Sequence, residues 1–410
     1  MNSQTSLQAI AFITRGLLLL AFLQSSVSTT PSLFAQQESK SNESQSNESK
    51  VEDSQTQEMI HLSDKQIEMA VEYLLSKQAA DGGWHSEYYG ALKGGAATTS
   101  LTLFACSHLS DECITRHRQH WIAARDFLLP VAREQGFIST AEGPDYSNYA
   151  TSMLLISSER LKLEIEQELA DRLYAYLVEA QLTERQGYAA EEIDFGGWDL
   201  MGWARSPRKS AGTNVSVSSF AMQALAARDD QLSQAALRRA GDWLATCRSS
   251  DGGYFFHPLK SHDGNKAGWK DNESRLQPTP YGTATADGLN CLSALAVDKQ
   301  DPDFIATSQW ITKHWQAADV PGFEHEQTQL GWKSGLRFYH LFAVSRTLQS
   351  LPEAVQRKIG TDILRELAKC QQHDGSWQNE NARMREDDPL ICTCFCLTAL
   401  LHARKSLQGK

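Results

Sequence analysis

The apolar positions along the chain recur with a helical period almost throughout. Ile67, Ala70, Val71, Leu74 and Leu75 fall at i, i+3, i+4, i+7 and i+8, one face of a helix. Ser63-Asp64-Lys65-Gln66 ahead of them reads as a capping box, so order is expected to begin there. Further along, segments with charges on one face, such as 163–179 and 232–246, alternate with runs rich in Ala, Ser, Thr and Cys. Those runs are 98–106, 149–157, 214–227, 285–297, 338–348 and 391–402. A helix with a charged face can lie outside, whereas one that is small and apolar nearly all round has to be covered on most sides. Strand-type alternation never competes over comparable lengths, so the pattern predicts an all-α fold in which outer and inner helices alternate.

A short phrase punctuates this alternation. Gln78, Asp81, Gly82, Gly83 and Trp84 form its first copy, and Gln371, Asp374, Gly375, Ser376 and Trp377 its last. Asp251-Gly252-Gly253-Tyr254 carries Tyr for Trp, and Asp194-Phe195-Gly196-Gly197-Trp198 is displaced by an insertion from its Gln181. Degenerate copies stand at Gln135-Gly136-Phe137 and Pro321-Gly322-Phe323, which makes about six at intervals of roughly 50 to 70 residues, each room for a helical hairpin. Glycine supplies the left-handed backbone that ends a helix, Asp accepts from nearby amides and the ring covers the junction, so the phrase reads as structural rather than catalytic. Six such hairpins either close into a ring or stack as an open solenoid, and the modest length favours closure.

Composition narrows the class. With 410 residues, 41% of them hydrophobic, the chain has material for a large core, and 50 acidic against 39 basic residues leave a net charge of −11. That balance excludes nucleic acid as a partner and disfavours an anionic membrane surface. Residues 1–35 read as an export signal, with the apolar run 16–23 behind Arg15 and small polar residues after it; an uncleaved membrane anchor over 9–23 is the alternative. Residues 36–60, with two Asn-Glu-Ser triplets and Val51 as the sole aliphatic side chain before Met59 and Ile60, read as a disordered linker. The folded domain is expected over 61–407, exported to the periplasm or the extracellular space, with a membrane tether only if the first segment is retained.

The phrase followed by a small-residue helix, as in Tyr281-Gly282-Thr283-Ala284-Thr285-Ala286-Asp287-Gly288-Leu289, resembles the repeats of squalene and terpene cyclases and of protein prenyltransferase β subunits. Asp374-Gly375-Ser376-Trp377, with Asp388-Pro389-Leu390 ahead of 393–400, is the closest passage. The resemblance covers roughly residues 62 to 405 and implies an (α/α)6 toroid, six inner helices ringed by six outer ones.

The family's chemistries can be sought residue by residue. A cyclase that protonates an alkene uses an Asp-x-Asp-Asp cluster; the nearest match is Arg385-Glu386-Asp387-Asp388, with Arg385 at the first Asp, where it favours the ionised carboxylates. Glu386, Asp387 and Asp388 stand as candidate acids against helix capping and ligand binding. Zinc ligands of a prenyltransferase would align at Lys333, Gly335 and Cys392, so at most one survives, and Asp229-Asp230 and Asp387-Asp388 lack the second carboxylate of a magnesium-binding DDxxD site. No cofactor or metal site is expected. Cys106, Cys247, Cys291, Cys392, Cys394 and Cys396 lie among apolar neighbours and read as core residues, with a disulfide or a soft metal on Cys392 and Cys396 as the lesser readings.

A hollow between inner helices would receive Tyr149, Tyr281, Asp287, Trp332, Tyr339 and His340, besides residues 386–388. His340 reads more readily as a satisfied core histidine, and the aromatic set equally as barrel packing. Two functions stay open at this stage: a toroid that binds an apolar, isoprenoid-like molecule or a protein partner, or an enzyme, either a divergent cyclase using Asp387 and Asp388 or an α/α-barrel enzyme acting on glycans.

Overall fold

The structure is a computed structural model that describes residues 56–139, 146–200, 212–258, 265–272, 275–324 and 331–408; the export segment and most of the linker fall outside them. Twelve longer helices alternate along the described residues, with two short ones (Asp111–Arg116 and Trp332–Gly335) between them: α1 (56–76), α2 (Ala96–Cys106), α3 (Arg118–Gln135), α4 (Ser147–Ser158), α5 (Gln167–Ala180), α6 (Val215–Leu225), α7 (Gln231–Thr246), α8 (Gly282–Ala294), α9 (Pro302–His314), α10 (Arg337–Thr347), α11 (Glu353–Ala368) and α12 (Pro389–Leu407). The even-numbered helices pack side by side, α2 on α4, then α6, α8, α10 and α12, and α12 returns to α2, closing the ring. The odd-numbered helices cover them from outside.

The composition of the inner helices follows from this position. Almost every residue of α2 and α6 and most of α12 are buried, so their hydroxyls need partners inside the helix. Thr102, Ser157, Thr285 and Thr398 each donate to the carbonyl four residues back, at 2.7–2.9 Å. α12 is long and apolar enough to cross a membrane, but it is a core helix packed between α2, α10 and α11.

The repeated phrase is the joint between neighbouring hairpins. The Gln78 side-chain amide donates to Gly82 O at 2.8 Å and to His120 O of α3 at 2.9 Å. Gln181 does the same to Gly196 O and Ala236 O of α7, and Gln371 to Gly375 O and Gln66 O of α1, so the last repeat is tied to the first. The indoles of Trp84, Trp198 and Trp377 donate to Leu74 O, Leu177 O and Leu367 O of their own outer helices. Their backbone amides donate to Thr99, Ser218 and Thr393 of the following inner helix. A Cβ on Gly82, Gly196, Gly252 or Gly375, all at φ near +90°, would strike the backbone carbonyl of Ala123, Arg239, Ala306 or Met69 in the next outer helix.

Several local expectations are corrected. Residues 56–60, expected in the linker, are helical, and Ser63 lies inside α1, its hydroxyl donating to Ile60 O at 2.6 Å instead of capping. In the degenerate copy after α3, Ile138 and not Phe137 takes the register of the Trp, its amide donating to Thr151, while Phe137 stacks on Tyr176. Gly322 abuts Pro280 and Tyr281, the entry to α8, instead of the next outer helix. A two-stranded hairpin, β1 (Trp269–Asn272) with β2 (Arg275–Pro278), interrupts the helical pattern in segments too short for alternation to register.

The six cysteines assigned to the core are fully buried, and burial pushes their thiols up, Cys394 to about 12. No cysteine is bonded to another. Among the described residues no three His, Cys, Asp or Glu side chains come together as a metal site.

The joint predicts a sharp contrast between glycines. Gly375→Ala is expected to lower unfolding free energy by more than about 2 kcal/mol, because it combines backbone strain with a clash. Gly90→Ala, where a Cβ meets nothing within 4 Å, should stay within about 0.5 kcal/mol of the parent; urea denaturation followed by circular dichroism reads both.

Candidate functional site

All inner helices begin at the same end of the barrel, and the segments that lead into them carry the side chains of interest. Asp388 is the N-cap of α12: Oδ1 accepts from the Leu390 amide at 2.9 Å and Oδ2 from the Ser86 hydroxyl at 2.5 Å. Burial raises its carboxyl above the usual range, against the pull of those donors. Glu386, wholly buried, accepts from the Tyr339 amide in the first turn of α10 at 2.7 Å and from Asn379 Nδ2 at 2.6 Å. Burial pushes it up to about 7. Two of the three candidate acids are thus turned onto helix termini.

Asp387 faces differently. It is half-buried and accepts from the Tyr89 hydroxyl. Arg385, at φ 59°, lays its guanidinium over Tyr89 at 4.3 Å and donates from Nε to the Tyr146 hydroxyl at 2.8 Å. The arginine that departs from the cyclase pattern therefore organises the rim.

Below the rim, three predicted residues converge. Tyr149 donates to Ser216 Oγ at 2.8 Å; Ser216 in turn bonds the Tyr339 hydroxyl, which donates to Asp287 Oδ2 at 3.4 Å. Asp287 Oδ1 lies 3.8 Å from Arg346 Nη1, and the Arg346 guanidinium sits 3.9 Å above the Phe220 ring. Burial pushes Asp287 up to about 6, opposed by Arg346. Phe104, Phe220, Phe342 and Phe395 interlock around this pair, almost without exposed surface, so this part of the barrel is filled.

The remaining predicted residues separate. Tyr281 is buried at the entry to α8, edge-on to Phe323, and that burial, together with the Asp287 charge, raises its phenol. Trp332 stands half-buried at the mouth. His340 points away from the barrel axis and packs on Trp315, where burial lowers it to about 4; it belongs to the wall.

Sequence reasoning missed Lys266. It lies in the loop between Phe256 and β1, pinned by Asn265, whose amide donates to Gly268 O and Thr279 O. Its Nζ stands 3.7 Å from the Phe256 ring centroid, 4.9 Å from that of Trp332 and 3.7 Å from Met384 Sδ, and burial lowers it to about 7. Nothing in the local sequence marks this lysine. Arg346 and Ser216 were also missed, although an arginine inside the inner run 338–348 was a readable signal. Among the described residues, the half-buried aromatics Tyr89, Tyr146, Tyr149, Phe256 and Trp332 thus stand at the mouth, an aromatic face hereafter called the basin, with Lys266, Arg385 and Asp387 among them.

The capping role of Glu386 has a pH signature. Its folded-state value, about 7 against 4.5 for a free glutamate, means that the native state holds a proton the unfolded chain releases, so its stabilisation is present below about pH 4.5 and fades as pH rises to 7. Glu386→Ala is expected to cost about 1–3 kcal/mol at pH 5 and less at pH 8, read by urea unfolding at both pH values.

Comparison with known proteins accords with this architecture. No curated protein is recognisably similar in sequence. Type II terpene cyclase MstE from Scytonema is 15% identical, with a TM-score of 0.56 over 85% of this chain and 99% of that one. A protein from Actinoplanes gives 17% and 0.52 over 83% and 99%, and the GH76A alpha-1,6-mannanase of Salegentibacter 11% and 0.52 over 85% and 99%. At such identities the likeness is one of fold. The model of the prenyltransferase alpha-alpha toroid domain matches residues 51–137, 145–275 and 284–408, nearly the whole helical region, and by that match the chain belongs to the prenyltransferase alpha-alpha toroid family.

Proposed function

We propose that this toroid is a binding protein for an apolar, isoprenoid-like molecule seated in the aromatic basin at its mouth, and that it acts outside the cytoplasm. The observation that carries the reading is the fate of the carboxylates. Asp388 and Glu386 are spent on the amides of α12 and α10, and Asp387 accepts from the Tyr89 hydroxyl, over whose ring Arg385 lies. A proton donor for an alkene has to be a crowded, protonated acid aimed into the cavity, and none of the three is disposed as one. The aromatic faces suit an isoprenoid chain. Structures of MstE, which shares this fold, are complexes with geranylgeranyl dihydroxybenzoate and with merosterolic acid A. A glycan-active reading needs Asp387 and Asp388 free side by side, which the cap on Asp388 disfavours.

Incubation of the purified chain with geranylgeraniol, followed by tryptophan fluorescence and product analysis by mass spectrometry, tests this. Saturable binding weakened at least about fivefold by Trp332→Ala, with the alcohol recovered unchanged, is the expected result. A cyclised product that disappears in Asp387→Asn would replace the reading with catalysis.

A further inference from the structure

We propose that the ligand of this basin carries a carboxylate, anchored by the Lys266 ammonium; the inference rests on the binding reading above and names the polar end of its ligand. An ammonium has three N–H donors and no acceptor, and taking it out of water is costly unless an anion or acceptors replace the solvent. Lys266 has no such partner in contact: around Nζ stand two aromatic faces and the Met384 thioether, none of the ion pairs among the described residues includes it, and the carboxylate whose charge does act on it, Asp287, is engaged by Tyr339 and Arg346. The position is built. Asn265 fixes the loop from inside, the Val215 amide donates to Phe256 O at 3.0 Å, and the Thr279 amide donates to Gly268 O at 3.0 Å, so the side chain is delivered to the mouth by a braced segment.

The surroundings point the same way. The chain as a whole is acidic, at −11, yet Lys266 and Arg385 stand at the mouth with two carboxylates that already have partners, Asp387 taken by Tyr89 and Asp287 by Tyr339 and Arg346. Local charge of this sign in an acidic protein attracts an anion, and aromatic walls beside a cation accept an apolar body with the anion at its end. A monoanion matches one free ammonium, whereas a diphosphate carries more charge than Lys266 balances, and no metal-ligand group among the described residues supplies the difference. A bare mineral anion lacks the body that the five aromatic side chains would cover.

Equilibrium binding of geranylgeranoic acid, geranylgeraniol and geranylgeranyl diphosphate to the purified chain separates these alternatives, with Lys266→Met and Lys266→Arg alongside. The parent should prefer the acid over the alcohol by about tenfold or more. Lys266→Met should lose that preference while holding the alcohol within about threefold of the parent, and Lys266→Arg should keep most of it. The retained alcohol affinity certifies that the methionine variant is folded. Equal affinities of acid and alcohol in the parent, a preference that survives in Lys266→Met, or tightest binding of the diphosphate would each overturn the anchor and leave the binding reading standing. Binding of no probe would overturn both.

Discussion

The structure depends on how each hairpin is tied to the next. A helical hairpin of this kind cannot bury its small-residue helix alone, so everything inside the ring requires that neighbours register with one another. The glutamine of the repeated phrase achieves that by placing one amide between two carbonyls, one from its own turn and one from the adjoining outer helix. The glycine beside it is small enough to let that helix pass, and the indole locks the turn to the helix it leaves. Since the copy at Gln371 binds α1, the same contact that spaces the repeats also closes the ring.

Closure decides what the interior can hold. Inner helices dominated by Ala, Ser, Thr and Cys approach closely, and the large residues they do carry meet on the axis. The phenylalanines fill part of the barrel, with Asp287 and Arg346 buried among them as a coupled pair. Breaking such a pair from one side would leave an uncompensated buried charge, so Asp287 and Arg346 depend on each other's presence. Among the described residues, the end where the inner helices begin carries half-buried aromatics and basic groups.

The carboxylates ahead of α12 illustrate a general competition. A helix start and a proton donor both call for Asp or Glu at the same place, and the residue types alone cannot distinguish them. At Asp388 and Glu386 the cap prevails, each oxygen being already committed to an amide or a hydroxyl. Raised values at Glu386 and Asp287 arise chiefly from burial.

By itself the sequence determined the architecture, because it is written in local periodicities: the helical spacing of apolar residues, the alternation of charged-faced and small-residue helices, and the recurrence of one joint. It also assigned Tyr149, Asp287 and Tyr339 to inner helices, since each lies in a predicted small-residue run, although the hollow expected beside them is filled by phenylalanines. Tertiary structure alone decided that His340 faces the wall, one residue from Tyr339 yet on the other side of α10. It decided too that Glu386 caps a helix begun some fifty residues earlier, and that Lys266 reaches Trp332 and Met384 from a loop with no pattern of its own. Those are contacts between residues far apart in the chain, and periodicity, which reports which face a residue occupies, carries no information about what that face meets.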